Sequence, residues 1–204
     1  PNLLTVARRV GAVLVGALDG DEVVGFVFSI AGLRDRVPLH WSELMGVLPD
    51  YRNHGLGRRM KLKQRELCLG AGVDRIEWSY DPMVARNAHF NINRLGVEIV
   101  DYIPDFYLHT GSKIHTLKMD RTIAAWNLDS AGVIARLDTR VAPMPNDDAA
   151  ILNNPDGSTK LDSLAPGVTV RVEIPADIWA VAADDHEAAN AWQSGVRASF
   201  TNAL

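Results

Sequence analysis

The chain has 204 residues, of which 47% are hydrophobic and 23% charged, as in ordinary globular proteins with one sizeable core or two small ones. A formal net charge of -4 argues against a surface built for nucleic acid. No apolar run approaches the roughly 18 residues of a membrane span, so no membrane partner is expected. The single cysteine, Cys68, excludes an intramolecular disulfide framework and favours a reducing, cytoplasmic setting.

The first 50 residues contain strand patterns after a short helical one. Residues 3–10 are typical of the end of a helix, and the absence of an initial methionine leads us to expect missing N-terminal residues. Apolar runs flank Asp19-Gly20-Asp21, and Asp-Gly between such runs predicts a β-hairpin. A third strand is predicted over 39–49, where Pro49 ends it because proline cannot donate a ladder hydrogen bond.

Helix and strand patterns alternate through the next 70 residues. An amphipathic helix is predicted over 56–70, with Leu56, Met60 and Leu67 on its apolar face. The opposite face is expected to be solvated and basic, with Arg58, Lys61 and Arg65. The further elements are a strand over 73–80, a helix over 83–96 closed by Gly96, and strands over 97–103 and 113–120. The order predicts a mixed α/β (α+β) sheet fold for residues 1–120.

The composition changes after Asp120. A proline-rich irregular connection is predicted over 142–167 and a strand over 168–175. A terminal helix over 184–204 follows, capped by Asp184 or Asp185, with Trp192 and Phe200 on its apolar side. Residues 121–204 are therefore predicted to form a small α/β C-terminal extension.

The turn Arg52-Asn53-His54-Gly55-Leu56-Gly57 joins the third strand to the amphipathic helix. The N–H groups at a helix N-terminus and the helix dipole favour an anion there. Glycines let the backbone approach such an anion, and Arg52 adds a charge-assisted donor. The turn lacks the Lys-Ser/Thr pair of a Walker A loop and the third glycine of a dinucleotide motif. The alternative is an ordinary helix start on the surface.

Val47-Leu48-Pro49 followed by this turn resembles the acyl-CoA loop of the GNAT superfamily of N-acyltransferases, Arg/Gln-x-x-Gly-x-Gly/Ala. The order of elements through Asp120 is similar as well. YDPMVARNAHFNINRLG, residues 80–96, resembles a bacterial subgroup with a C-terminal extension. The resemblance implies a mainly antiparallel sheet with flanking helices and a splayed pair of central strands. It also implies acetyl-CoA or another acyl-CoA as co-substrate, with no metal.

The resemblance further implies which residues hold the co-substrate. Loop N–H groups would bind the CoA pyrophosphate, the exposed strand backbone would pair with the pantetheine arm, and an asparagine of the second helix would bond the arm. Arg58 is close enough to the loop to reach a CoA phosphate, with a solvated helix face as the alternative. The cofactor-binding residues expected on these grounds are Met45, Val47, Arg52, Asn53, His54, Gly55, Leu56, Gly57, Arg58, Asn87 and Asn91.

Glu43 is the candidate general base for the acceptor amine. It alternates with Met45 and Val47, so strand periodicity predicts its carboxylate on their face. A solvent-facing strand residue is the alternative, and His40, on the other face, is the weaker candidate. The resemblance implies that the backbone amide around Val47 stabilises the oxyanion.

The general acid of many GNAT members is a tyrosine in the second helix, and that position holds Ile92 here. Tyr80, at the end of the neighbouring strand, is the substitute candidate, with Tyr102 and Tyr107 less favoured. Alternatively, the thiolate leaves unassisted, which a thiol pKa of about 8.5 permits.

The resemblance implies an N-acyltransferase that moves an acyl group from acyl-CoA to the primary amine of a small molecule such as an amino acid. Acetyl is the default group and succinyl the alternative. The missing helix tyrosine leaves open a non-catalytic acyl-CoA-binding module, and the extension leaves open a partner-binding module or a homodimer.

Overall fold

The computed structural model describes residues 2–107, 119–139, 148–160 and 167–203. The helices are α1 Asn2–Arg9, α2 Leu56–Gly70, α3 Ala85–Ala88, α4 Ala131–Asp138, α5 Ile178–Asp184 and α6 His186–Ala203. The strands are β1 Val13–Asp19, β2 Glu22–Arg34, β3 Val37–Val47, β4 Arg75–Tyr80, β5 Glu98–Ile103, β6 Arg121–Asn127, β7 Ala150–Ile151 and β8 Val170–Arg171. Among these helices, none is long and apolar enough to cross a bilayer.

Two consecutive hairpins form the first half of the sheet. The predicted hairpin is confirmed: β1 pairs antiparallel with β2, and Gly20 has the positive φ of 58° that the turn needs. A second hairpin was not predicted. Asp35 and Arg36 both have positive φ, 52° and 70°, so a two-residue turn joins β2 to β3 without glycine.

The six longer strands pair in the order β1-β2-β3-β4-β6-β5. Both hairpins are antiparallel, whereas β3 runs parallel to β4. The mixed, mainly antiparallel sheet with flanking helices was predicted and is confirmed. The strands β7 and β8 form a separate two-stranded parallel pair.

The chain divides into two compact units. The first contains Pro1–Trp78, Arg94–Glu98 and Ala125–Arg140. In its core, α2 packs on β1, β2 and β3, and the Trp126 indole N–H donates to the Leu95 carbonyl at 2.9 Å. The α2 prediction is confirmed at both ends.

The second unit contains Ser79–Asn93, Ile99–Ala124 and Val141–Leu204. Its apolar cluster includes Met83, Ile178 and Val196, with Trp192 and Phe200 packed against it, as predicted for the terminal helix. Asp185 caps α6, since its Oδ1 accepts from the backbone N–H groups of the next turn.

The Arg197 guanidinium of α6 forms the main ion pair of the second unit. It donates hydrogen bonds to the Asp120 carboxylate, which is 2% exposed, and its Nη2 also donates to Asp105 Oδ1 at 3.0 Å. The Tyr102 hydroxyl donates to Asp120 at 2.5 Å, and the Tyr102 ring stacks on Phe200. The terminal helix is thus anchored by both charge and apolar contact.

Several element predictions need correction. The strand predicted over 113–120 lies mostly outside the described residues, and 119–120 are not in a strand. The strand β6 and the helices α4 and α5 were not predicted, and the strand over 168–175 is reduced to Val170–Arg171. Inside β6, the five central residues are all buried, so it lacks the alternation that identifies a half-buried strand.

Candidate functional site

The turn between β3 and α2 has two residues in the left-handed region. After a short 3-10 turn at Pro49–Tyr51, Asn53 has φ 64° and Gly55 has φ 75°. Gly55 is the N-cap of α2, and no side chain caps the helix. An L side chain is strained at this φ, so the turn itself accounts for glycine at position 55.

The N-terminus of α2 has the features of an anion site. The first helical hydrogen bond runs from Arg59 N to Gly55 O at 3.1 Å, so the N–H groups of the preceding turn have no intrahelical acceptor. The first turn contains no acidic residue. Arg52 Nε donates to the Val47 carbonyl at 3.0 Å, which fixes the guanidinium beside the end of β3.

Gly57 lies against Met45 of β3, and its φ is not in the left-handed region. A Cβ at this position would lie 2.8 Å from Met45 Cε, so α2 and β3 are in direct contact here. Gly55 has a backbone conformation that L side chains rarely adopt, whereas a side chain at position 57 would require only the flexible end of Met45 to move.

The strand β3 contains a bulge at Glu43. Phe28 pairs with Leu44 and Ser29 with Ser42, which leaves Glu43 as the extra residue. Ser42 contacts α2 through Lys61, and Met45 contacts α2 through Gly57. Two residues three apart can face one helix only if the alternation is interrupted between them.

The predicted common face for Glu43, Met45 and Val47 is therefore wrong, because the bulge changes the alternation. Glu43 is exposed and accepts a hydrogen bond at 2.8 Å from the Trp41 indole N–H. His40 is buried on the α2 face, and burial lowers its pKa. The distance between His40 Nδ1 and Ser29 Oγ is 3.0 Å. Glu43 is the more accessible of the two candidate bases.

The strands β3 and β4 are registered at only two pairs among the described residues, His40 with Ile76 and Trp41 with Glu77. Beyond Trp41, β3 continues to Val47 beside β2 alone. The expected splay of the two central strands is consistent with this register. It leaves the β4 side of the last six residues of β3 without a ladder partner in β4.

The basic face predicted for α2 is not simply solvated. Arg58 Nη2 donates to the Leu137 carbonyl at 2.8 Å, and Arg65 Nε donates to the Leu128 carbonyl at 2.7 Å. Lys61 is 3% exposed, whereas Leu67, predicted on the apolar face, is 40% exposed. The role predicted for Arg58 in phosphate binding stays a prediction, with one guanidinium nitrogen already bonded to α4.

The remaining predicted residues lie in the second unit. Tyr80 is 7% exposed, and burial raises the pKa of its phenol, so the hydroxyl is protonated at neutral pH. Asn87 is exposed, whereas Asn91 is 4% exposed, so the two side chains do not share one environment. The helix widens into a π-helix at His89–Leu95, where residues four apart no longer recur at the α-helical angle.

Residues 5–90 match the family model described as the acetyltransferase (GNAT) family. The matched segment is thus similar to a GNAT acetyltransferase domain, and residues 5–90 are called the GNAT domain below. The GNAT domain contains the whole β3 to α2 corner. No curated protein matches the chain.

Solved GNAT structures have a similar fold. An acetyltransferase of the GNAT family from Desulfovibrio desulfuricans is 16% identical, with a TM-score of 0.51 over 62% of this chain and 75% of that chain. One from Streptococcus pneumoniae is 17% identical, with a TM-score of 0.49 over 61% and 70%. One from Elizabethkingia anophelis with acetyl-CoA bound is 11% identical, with a TM-score of 0.49 over 62% and 82%.

A buried polar cluster that the sequence patterns do not predict is formed in the GNAT domain by Ser42, Lys61, Gln64 and Trp78. The buried residues of α2 are Met60, Lys61, Gln64 and Cys68. The spacing of four between Met60, Gln64 and Cys68 was a usable signal. The prediction of a solvated basic face, which included Lys61, does not take that spacing into account.

Proposed function

We propose that this GNAT domain transfers an acetyl group from acetyl-CoA to the primary amine of a small molecule such as an amino acid. The observation that carries the proposal is the corner where bulged β3, unpaired with β4 over its last residues, meets the uncapped N-terminus of α2. Succinyl-CoA is the alternative donor. The single cysteine, Cys68, is buried and unpaired, which supports a cytoplasmic setting as part of the proposal.

The co-substrate would lie along this corner. The backbone N–H groups from Asn53 to Gly57 would hold the pyrophosphate, because they lie at the positive end of the α2 dipole. The backbone of Met45–Val47 would pair with the pantetheine arm. Arg52 uses Nε for Val47 O, and among the described residues its terminal nitrogens bond nothing else, so they remain available for a phosphate.

The reaction requires a neutral amine, a stabilised oxyanion and a proton for the leaving thiolate. Glu43 would accept the amine proton, directly or through water, from the exposed side of the bulge. The backbone N–H near Val47 would stabilise the oxyanion. Tyr80 is proposed as the proton donor, since its raised pKa keeps the phenol protonated.

A titration with three probes tests co-substrate binding: CoA, acetyl-CoA and succinyl-CoA, measured by calorimetry. Parent protein is compared with Arg52→Ala and with Gly55→Asp, which places a carboxylate at the helix N-terminus. Lys160→Ala, an exposed site outside the family match, is the control. We expect at least roughly tenfold weaker binding for the first two variants. Equal binding by all proteins would contradict the proposed phosphate site.

Turnover is tested by free-thiol release from acetyl-CoA with a panel of amino acids, simple amines and short peptides. Glu43→Gln should bind acetyl-CoA like the parent but lose roughly a hundredfold in kcat. Binding without release for any amine would identify a non-catalytic acyl-CoA-binding module instead. Release only with peptides would overturn the small-molecule acceptor while leaving the transfer reaction intact.

A further inference from the structure

The buried cluster of the GNAT domain surrounds the Lys61 ammonium with neutral acceptors. Lys61 Nζ donates to Ser42 Oγ at 2.9 Å and to Gln64 Oε1 at 3.1 Å. It also lies 3.9 Å from the centroid of the Trp78 ring, on the ring face. These contacts account for three N–H directions. Among residues 2–107, 119–139, 148–160 and 167–203, no carboxylate forms an ion pair with Lys61.

The charged and titratable groups around Lys61 are few. On the same face of β3 lies His40, and further along α2 lies Cys68. Burial lowers the pKa of His40 and raises that of Cys68 to about 11, so both are neutral near pH 7. Of the arginines of α2, Arg58 donates to the Leu137 carbonyl and Arg65 to the Leu128 carbonyl. Burial lowers the pKa of Lys61 itself to about 7.

A structural role alone does not account for lysine at this position. A methionine or leucine would fill the same volume without the cost of burying an ammonium group that no carboxylate neutralises. Its neighbour on α2, Met60, is equally buried and is apolar. Packing of the core therefore does not by itself explain the polar contacts of Lys61.

The cluster is attached to the bulge of β3. Ser42, which receives hydrogen bonds from Lys61 and from Gln64 Nε2 at 3.2 Å, is the last paired residue before Glu43. On the other side of the bulge, Met45 packs against Gly57 of the same helix. The helix α2 therefore holds β3 on both sides of the bulge, by hydrogen bonds before it and by close packing after it.

We propose that Lys61 is a positioning residue for acyl transfer: through Ser42 it fixes the bulged segment of β3 that presents Glu43 and the backbone to the acyl group. The inference rests on the proposed function, because it assigns a role in that reaction. Lys61 does not touch the substrate. Its effect is on the distance and angle between the strand backbone and the thioester, on which the rate depends steeply.

The test compares Lys61→Met and Ser42→Ala with the parent and with Lys63→Met. Lys63 is on the same helix but exposed, where it pairs with Glu66 at 2.6 Å. For each protein, the acetyl-CoA dissociation constant is measured by calorimetry. The kcat is measured by thiol release with the best amine of the panel. Both are repeated across the pH range around neutrality.

We expect Lys61→Met to lose roughly tenfold or more in kcat while its acetyl-CoA dissociation constant changes by less than about threefold. Ser42→Ala should likewise lower kcat while leaving the dissociation constant nearly unchanged. The kcat of the double variant should be no lower than that of the less active single variant, because both substitutions remove the same contact. The parent pH profile should contain an inflection near neutrality that Lys61→Met lacks and Lys63→Met retains.

A kcat for Lys61→Met or Ser42→Ala equal to that of Lys63→Met would overturn the positioning role. If Lys61→Met does not fold, Ser42→Ala decides alone. Failure of the parent to bind acetyl-CoA would be seen first, in the calorimetry, and would count against the proposed function rather than against the role of Lys61 within it.

Discussion

Replacing Lys61 by methionine should change how the stability of the protein depends on pH. The side chain is 3% exposed, and burial lowers its pKa from the ordinary 10.5 to about 7. Between pH values of about 7 and 10.5, Lys61 is protonated in the unfolded chain and largely neutral in the folded chain. The free energy of unfolding of the parent therefore rises with pH in this window and loses that contribution on acidification.

The magnitude follows from the two pKa values. One pH unit corresponds to at most about 1.4 kcal/mol, and the slope halves near the folded pKa, where Lys61 is half protonated. Between about pH 9 and pH 7 the parent should lose about 2 kcal/mol relative to Lys61→Met. The difference in free energy of unfolding between Lys61→Met and the parent at a single pH can have either sign. Removing the buried charge stabilises the variant, but it also leaves Ser42 Oγ and Gln64 Oε1 without the hydrogen bond from Lys61.

Urea unfolding of parent, Lys61→Met and Lys63→Met at about pH 7, 8 and 9 measures this difference. Burial raises the pKa of Cys68, so its thiol contributes to the pH dependence as the unfolded thiol ionises, but it does so in all three proteins and the comparison between them removes it. The free energy of unfolding of Lys63→Met should depend on pH in the same way as that of the parent. A parent-minus-Lys61→Met difference that is constant within about 0.5 kcal/mol would refute the burial argument.

Three further predictions concern stability measured by urea unfolding. Gly55→Ala should cost about 1 to 2 kcal/mol because φ is 75°, whereas Gly70→Ala, at the unhindered end of α2, should cost nothing; equal effects would contradict the strain. Arg197→Met should cost about 3 kcal/mol by leaving Asp120 buried without its partner. Burial raises the pKa of Asp120, but hydrogen bonds from Arg197 and Tyr102 lower it overall, so this loss should shrink as pH falls, and a loss independent of pH would be inconsistent with it. Asp185→Ala should cost about 1 kcal/mol and Asp185→Asn much less; equal losses would exclude capping as the cause.

The corner between β3 and α2 could be predicted because its signals are local. Proline and glycine restrict the backbone at specific positions, and the apolar spacing of α2 repeats with the period of a helix, so both ends of α2 were found. The hairpin at Gly20 was found for the same reason. Such features depend on residues within a few positions of one another.

The bulge at Glu43 and the burial of Lys61 could not be predicted in this way. A bulge is a mismatch between two strands, and β3 alone contains no residue that requires it. The burial of Lys61 depends on Ser42, 19 residues away, and on the Trp78 ring. The turn at Asp35 and Arg36 was missed because neither residue is glycine, although both adopt positive φ.

The contacts of α2 constrain its length as well as its sequence. Gly57 meets Met45, Lys61 meets Ser42, and Arg65 meets the Leu128 carbonyl, so three levels of one helix are fixed against other segments. Inserting or deleting one residue between Gly57 and Lys61 would rotate everything beyond it by about 100° and shift it by about 1.5 Å. No side-chain substitution compensates for that rotation. Homologous chains that keep this arrangement should vary in length before Pro49 or after Gly70, and not between Gly57 and Arg65.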